Sequence, residues 1–318
     1  MQNNYNGVIN INKSPGLTSF GVVAQVKRLL KVKKAGHTGT LDPIASGVLP
    51  ICLGPATKIA QFLLEADKGY RFTAKLGVTT NTQDAAGEII ETRDISTVTR
   101  EKIVEACRNF EGEIYQTPPM YSAIKFQGQR LYELARRGEE VERQPRRVSI
   151  YKFELLDFQP PLAKFDLLCS KGTYVRTICA DLGESLGCGA HLYQLIRTKS
   201  GRFTIEDALT LDELAELYRQ GRLAGKIYSM EQVLDHLPPV IIGKSAVSRI
   251  LQGMPLFSKD ILYPPAADIK PKDKVRLHAP SGQLIAVGVA RIDYTPASQL
   301  PSTVPLFQPY KLLIGNSA

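Results

Sequence analysis

Residues 35–50, AGHTGTLDPIASGVLP, hold three glycines, two prolines, one histidine and one aspartate without a helical or strand period. Such a run loses conformational entropy on folding and buries little apolar surface, so core packing alone does not ask for it. Its chemistry-bearing groups are the His37 imidazole and the Asp42 carboxylate. A carboxylate held beside a substrate can attack it or stabilise a cationic centre. The Asp42–Pro43 pair is equally a common turn dipeptide, and a loop histidine is usually only that, so both readings stand on the segment alone.

The other reactive residues narrow the chemistry by what they fail to form. His37, His191, His236 and His278 are scattered, and no two have zinc-ligand spacing. Cys52, Cys107, Cys169, Cys179 and Cys188 form no CxxC pair and read as reduced core thiols of a cytoplasmic protein. Gly243–Ser245 reads GKS, but a phosphate-binding loop needs glycine where Pro238 stands. LGESLGCG has the wrong glycine spacing for a dinucleotide fingerprint, and GxSxG is absent. The expectation is therefore no metal and no cofactor, and a reaction that needs little machinery.

The elements that would position these groups follow from periodicity. GVINI near the N-terminus reads as a strand. TSFGVVAQVKRLLK reads as a helix capped by Thr18 or Ser19, with Val22, Val23, Val26, Leu29 and Leu30 at helical spacing. PATKIAQFLLEADK predicts a helix with Pro55 in its first turn. YRFTAKLGV alternates as a strand, with Tyr70, Phe72, Ala74 and Leu76 on one face and Arg71, Thr73 and Lys75 on the other. Helices near 98–109 and 128–138, strands near 147–157 and 163–170, and a helix just after Gly172 follow. This order predicts an α+β fold rather than a regular βαβ alternation. Paired prolines close a unit near 225–240. Beyond them come a short helix in GKSAVSRILQG, a hairpin turning at Pro280–Gly282 and a last strand in PLFQPYKLLI, so a small β-rich domain is expected over about 238–318.

At 318 residues and 43% apolar composition the chain is long enough for two domains with real cores. Forty Lys and Arg against 31 Asp and Glu leave a net charge of +9, which suits a polyanionic partner. Between 115 and 147, Lys125, Arg130, Arg136, Arg137, Arg143, Arg146 and Arg147 are interleaved with Tyr115, Tyr121, Phe126 and Tyr132. Cations for phosphates and flat rings for unstacked bases suit RNA. Glu133, Glu139, Glu140 and Glu142 offset much of that charge, so a salt-bridged solvated face is the alternative. The N-terminus lacks the pattern of a signal peptide, and no run of about 18 apolar residues marks a membrane span. Without an obvious apolar interface stripe, a monomer is expected.

AGHTGTLDPIASGVLPICLGPATK closely resembles the signature segment of the TruB-type family of bacterial tRNA pseudouridine-55 synthases. NKSPGLTS, KGYRFTAKLG, TNTQDAAGEI, QTPPMYSAIKFQGQRLYELARRG and CSKGTYVRTICADLGESLGCGAHLYQLIRT agree in order, over about residues 7–205. One departure is that Ser14 separates Lys13 from Pro15, where the family commonly joins lysine directly to proline. The resemblance implies a mixed, mostly antiparallel central sheet flanked by helices and loops. It implies a catalytic domain over 1–235 with a basic RNA-binding insertion at about 115–147, and a loosely matched PUA-like RNA-binding domain over 238–318. The implied reaction converts uridine 55, in the TΨC arm of tRNA, into pseudouridine: the N-glycosidic bond breaks, the uracil rotates and a carbon–carbon bond forms.

The same resemblance assigns roles. Asp42 matches the catalytic aspartate and Arg176 its cationic partner, in the first turn of the helix expected after Gly172, where backbone N–H groups also favour an anion. Tyr70 matches the aromatic residue that stacks on the uracil, and Leu195 an apolar residue of the uracil pocket; each also fits a plain core position. His37, in a glycine-rich loop, matches a residue near the flipped nucleotide, and Asp84 a pocket position that an Asx turn explains equally well. On this reading the glycines of 35–50 let the backbone approach RNA while the prolines stiffen the loop presenting Asp42. A non-catalytic RNA-binding or tRNA-folding protein is the alternative. A glycosidase would want two carboxylates, and no second one stands out near Asp42.

Overall fold

Strong alternation in Lys68–Leu76 sets the centre of the molecule: Tyr70, Phe72, Ala74 and Leu76 are buried while Arg71 is exposed. In the computed structural model, which describes residues 5–296 and 301–314, this strand lies inside a ten-stranded sheet. The main path runs Ile227–Tyr228, Gly7–Lys13, Ser46–Leu53, Ala190–Ser200, Lys68–Leu76, Leu162–Cys169, Arg146–Gln159, Gly112–Gln116. Ala35–His37 and Phe203–Thr204 pair alongside it. Pairing is antiparallel except between Ser46–Leu53 and Ala190–Ser200, so the α+β, mixed and mostly antiparallel sheet expected from the sequence is what forms.

The buried face of the sheet is covered by the helices Ser19–Leu30, Arg100–Phe110 and Val175–Ser185, whose apolar stripes join Phe72, Phe165 and Leu192 in one core. Phe72 and Phe165 stack at 5.0 Å between ring centroids. Thr18 caps the first helix by accepting from the Gly21 N–H. On the opposite face, Val8, Val48 and Cys52 meet Ala56, Ile59 and Phe62, together with Val287 and Leu313 from the C-terminal unit. All five cysteines are free and buried.

Two local expectations change, and one strand comes unannounced. The helix expected over residues 55–68 is a 3-10 turn, Gly54–Ile59, and a short α-helix, Ala60–Leu64, because pairing with Cys169 and Ser200 claims Lys68 for the sheet. The 35–50 segment is not one loop: Ala35–His37 and Ser46–Leu53 are strands, and only 38–45 is irregular. From Gly47 to Leu53 every residue is buried, so the strand is covered on both faces and its alternation vanishes from the sequence. Ala190–Ser200, a central strand, was not legible for a related reason, since register shifts at Leu192/Gln194 and Arg197/Lys199 interrupt its period.

The C-terminal unit is a six-stranded sheet ordered Leu256–Phe257, Pro305–Leu312, Leu284–Ala290, Lys274–His278, Pro239–Ile242, Ile261–Tyr263, with the helix Lys244–Leu251 against it. Its own core includes Val240, Ile250, Leu277 and Phe307. The expected hairpin turn falls at Gly282, where φ is +83°. Glu231 ties this sheet to the rest by pairing with Arg276 and, at 2.9 Å, with His278. Among the described residues no helix is long and apolar enough to cross a membrane.

Candidate active site

Asp42 sits on the irregular stretch 38–45, which enters and leaves through sheet strands and is pinned at several points. The Ser19 hydroxyl accepts from the Leu41 N–H at 2.8 Å and donates to the Leu41 carbonyl at 3.1 Å. The Asp42 carbonyl accepts from Ala45 N–H, and the Pro43 carbonyl from Gly16 N–H. Two buried cations complete the fixation. The Lys13 ammonium donates to the carbonyls of Ser14, Leu17 and Pro43 at 2.7–3.3 Å. The Arg197 guanidinium donates to the carbonyls of Gly39, Thr40 and Val48 at 2.7–3.4 Å.

Neither cation forms an ion pair among the described residues, although both are essentially inaccessible to solvent. A buried charge needs its hydrogen bonds satisfied, and here backbone carbonyls supply them. Burial, with a smaller push from Arg197, brings the Lys13 amine down to about 8, while nearby Asp42 opposes the fall. Gly47 explains part of the glycine content: its φ is +102°, and a Cβ there would overlap the Arg197 backbone carbonyl. Strand-to-strand packing alone therefore requires a glycine there.

Arg176, the second residue of the helix Val175–Ser185, points its Nε at the Asp42 carboxylate, 3.0 Å away. The arginine side chain is 6% exposed and the aspartate 38%, so the cation is anchored while the carboxylate faces solvent. The guanidinium also donates to the Thr82 carbonyl at 3.2 Å and the Tyr121 carbonyl at 2.6 Å. The root of its helix is held by a two-way clamp, in which Gln116 donates to the Tyr174 carbonyl and accepts from the Tyr174 N–H.

Asp84 lies 3.9 Å from the same Arg176 Nε, so a second carboxylate does stand near Asp42, brought there from 42 residues along the chain. Its other oxygen accepts from the Thr82 hydroxyl at 2.6 Å and the Ala86 N–H at 3.1 Å, so the Asx turn and the site position hold together. Its side chain is 10% exposed, against 38% for Asp42.

Tyr70 and Leu195 lie on adjacent strands and face the same core as Phe72, each nearly buried. Burial pushes the Tyr70 phenol up to about 12, and the nearby Arg197 charge opposes the rise. His37 pairs with Ile51 as part of a strand rather than a loop. Burial and the Arg197 charge lower its pKa, and its buried Nδ1 has no hydrogen-bond partner. Arg176 thus brings Asp42 and Asp84 together, Arg197 lies near Tyr70 and His37 and holds the backbone of the Asp42 loop, and Leu195 is a core residue paired with Phe72. Lys13 and Arg197 were not foreseen as site residues. The Lys13–Ser14–Pro15 departure marked the first, whereas nothing local in IRTKSG sets Arg197 apart from a surface arginine.

The 115–147 segment forms a small hairpin, Lys125–Phe126 with Gln129–Arg130, and the helix Leu131–Arg136. Much of its charge is paired: Arg137 with Glu139, Arg143 with Glu140 and Arg147 with Glu113. Arg130 and Arg136 lie over the Tyr132 ring. Among the described residues no cluster of His, Cys, Asp and Glu could hold a metal ion.

Comparison with known proteins matches residues 27–175 to the TruB family pseudouridylate synthase (N terminal domain) and residues 176–237 to the tRNA pseudouridylate synthase B C-terminal domain. The tRNA pseudouridine synthase B of Symbiobacterium thermophilum is 50% identical over 253 residues, 78% of this chain and 82% of that one. That of Pelotomaculum thermopropionicum is 45% identical over 290 residues, 90% and 91% of the two chains. A chain from the crystal structure of a Cbf5-Nop10-Gar1 complex superimposes with a TM-score of 0.76 at 33% identity, covering 97% of this chain and 85% of that one.

Proposed function

The chain belongs to the TruB family of pseudouridylate synthases, isomerases of uridine in tRNA, and we propose that its target is uridine 55 of the TΨC arm, with Asp42 as nucleophile. The observation that carries this reading is the Asp42–Arg176 pair, an accessible carboxylate held at 3.0 Å by a buried guanidinium. The guanidinium fixes the position of the carboxylate, and a carboxylate so placed can act as a nucleophile.

The target base is stacked in folded tRNA and has to be extruded, at a cost of a few kcal/mol. On this reading Tyr70 offers a ring and Leu195 an apolar wall to the flipped uracil, and His37 stands near the flipped nucleotide. Asp42 adds to the nucleotide, the C1′–N1 bond breaks, and the uracil turns within the pocket. C5 then bonds C1′ and the bond between Asp42 and the nucleotide breaks, restoring the carboxylate; the C5 proton leaves and N1 takes one up, so substrate and product hold the same atoms. The Lys13 and Arg197 contacts keep the 38–45 backbone fixed, so little reorganisation is needed when Asp42 reacts. Residues 1–235 form the catalytic unit on this reading, and 238–318 a PUA-like RNA-binding unit.

The test uses unmodified tRNA transcript, the pure protein and its Asp42→Asn variant, with pseudouridine mapped by chemical labelling and primer-extension stops. One modified position in the TΨC loop, lost in the variant while binding persists, is the expected result. Modification at another position would remove the site assignment, and an active variant would remove Asp42 from the chemistry.

A further inference from the structure

Asp42 is the first acidic residue of the chain; the 41 residues before it carry Lys13, Lys27, Arg28, Lys31, Lys33 and Lys34 and no carboxylate side chain. Apart from buried Lys13, these cations are exposed, and none of the five forms an ion pair among the described residues. The helix Ser19–Leu30 turns Val22, Val23, Val26 and Leu30 into the core. Phe20, Ala24, Lys27 and Arg28 are exposed, at spacing that puts them on one outer face, with Lys31 continuing the line at the cap. Phe20 at the head of this stripe is 77% exposed. Cations in a last helical turn also favour the helix dipole, which accounts for Lys27 and Arg28 but not for Lys33 and Lys34 beyond the helix.

Both ends of the stripe are fastened to the segment that carries Asp42. At the N-terminal end Ser19, next to Phe20, holds Leu41 through two hydrogen bonds. At the other end Lys33 and Lys34 run directly into the strand Ala35–His37, and the Lys34 carbonyl accepts from Gly54 N–H. From Phe20 to Lys31 a helical rise of about 1.5 Å per residue gives a span of roughly 16 Å, enough to follow several successive phosphates.

We propose that this outer face, Phe20 with Lys27, Arg28, Lys31, Lys33 and Lys34, is a docking surface for the RNA backbone flanking the nucleotide being modified. The proposal rests on the reading of the chain as an RNA-modifying enzyme and adds where the RNA lies. Cations without ion-pair partners among the described residues are available to displace counterions from phosphates, and the exposed ring of Phe20 offers a stacking platform.

The experiment measures tRNA affinity across monovalent salt for wild type, for the Lys27→Gln/Arg28→Gln/Lys31→Gln variant and for the charge-keeping Lys27→Arg/Lys31→Arg variant. Each phosphate contact contributes about 0.7–0.9 to the slope of log affinity against log salt, so the triple variant should lose about 2–3 from that slope. Its Kd near 100 mM salt should rise by about tenfold to a hundredfold, with the single-turnover rate at saturating enzyme unchanged. The charge-keeping variant should match wild type. An unchanged slope in a triple variant that melts like wild type would overturn the proposal. If the triple variant does not fold, Lys27→Gln and Lys31→Gln are measured singly, and no loss of slope in either has the same force. A wild-type protein that binds tRNA but makes no pseudouridine removes the catalytic reading while the slopes still decide the surface. One that binds no RNA removes both.

Discussion

The Asp42 loop and the 115–147 insertion both carry groups suited to RNA, yet they are held in opposite ways. Around Asp42 the cations are buried: Lys13 and Arg197 spend their donors on backbone carbonyls, and Arg176 adds two more to its carboxylate contacts. In the insertion most of the cations are exposed, and Arg137, Arg143 and Arg147 meet carboxylates at the surface. A desolvated cation with satisfied donors fixes geometry, whereas an exposed pair is screened and easily exchanged. Rigidity is therefore concentrated where a reacting atom must be placed, and adaptability where a large polyanion must be accommodated.

The largest effect should come from the centre of the rigid region. Asp42→Asn is expected to lower the single-turnover rate by about 10⁴-fold or more, with tRNA affinity changed by less than about threefold. A variant that lost binding instead would blur the contrast, because Asp42 would then be holding RNA rather than reacting with it.

Arg197→Met is next. It leaves the Gly39, Thr40 and Val48 carbonyls without their donor, and urea unfolding should show a loss of about 2–4 kcal/mol. A loss below 0.5 kcal/mol, as typical of surface sites, would mean that the loop does not depend on this clamp.

A pH series sharpens the contrast further. The folded-state amine of Lys13 titrates near 8, below its ordinary 10.5, so between these values the unfolded chain binds a proton that the folded chain lacks. Stability relative to Lys13→Met should accordingly be flat below pH 8 and rise with pH from about 8 to 10.5. Unfolding free energies of both proteins at pH 7, 8.5 and 10 check the sign, and a difference that shrinks upward would place the ammonium in a stabilising rather than a desolvating setting.

The smallest effect is expected in the insertion. Glu139→Gln and Glu140→Gln each break an exposed pair and should change unfolding free energy by less than about 0.5 kcal/mol. Freed of their partners, Arg137 and Arg143 should hold tRNA slightly more tightly at low salt, measured as a modest fall in Kd.

Elements with a clean local period were legible. The strand Lys68–Leu76 and the helix Ser19–Leu30 each bury one face, and a residue's neighbours in sequence suffice to show which. Ser46–Leu53 and Ala190–Ser200 were hidden because one is buried on both faces and the other breaks its register. For the site, Asp42 and Arg176 stood in long matched blocks, but their 3.0 Å approach joins segments 134 positions apart. Asp84 also stood in a matched block, but its approach to the same arginine again joins segments distant in sequence.

By itself the sequence determined the α+β class, the early basic excess and the residue types able to carry the chemistry, since these depend on composition, period and short-range order. Only the tertiary structure decided which cations are available to a partner and which are consumed inside. Lys27 and Lys13 are the same residue type 14 positions apart; one lies on the outer face of a helix, and the other is enclosed by carbonyls from Ser14, Leu17 and Pro43. Burial and hydrogen bonding, which arise from contacts distant in sequence, set what each charge can do.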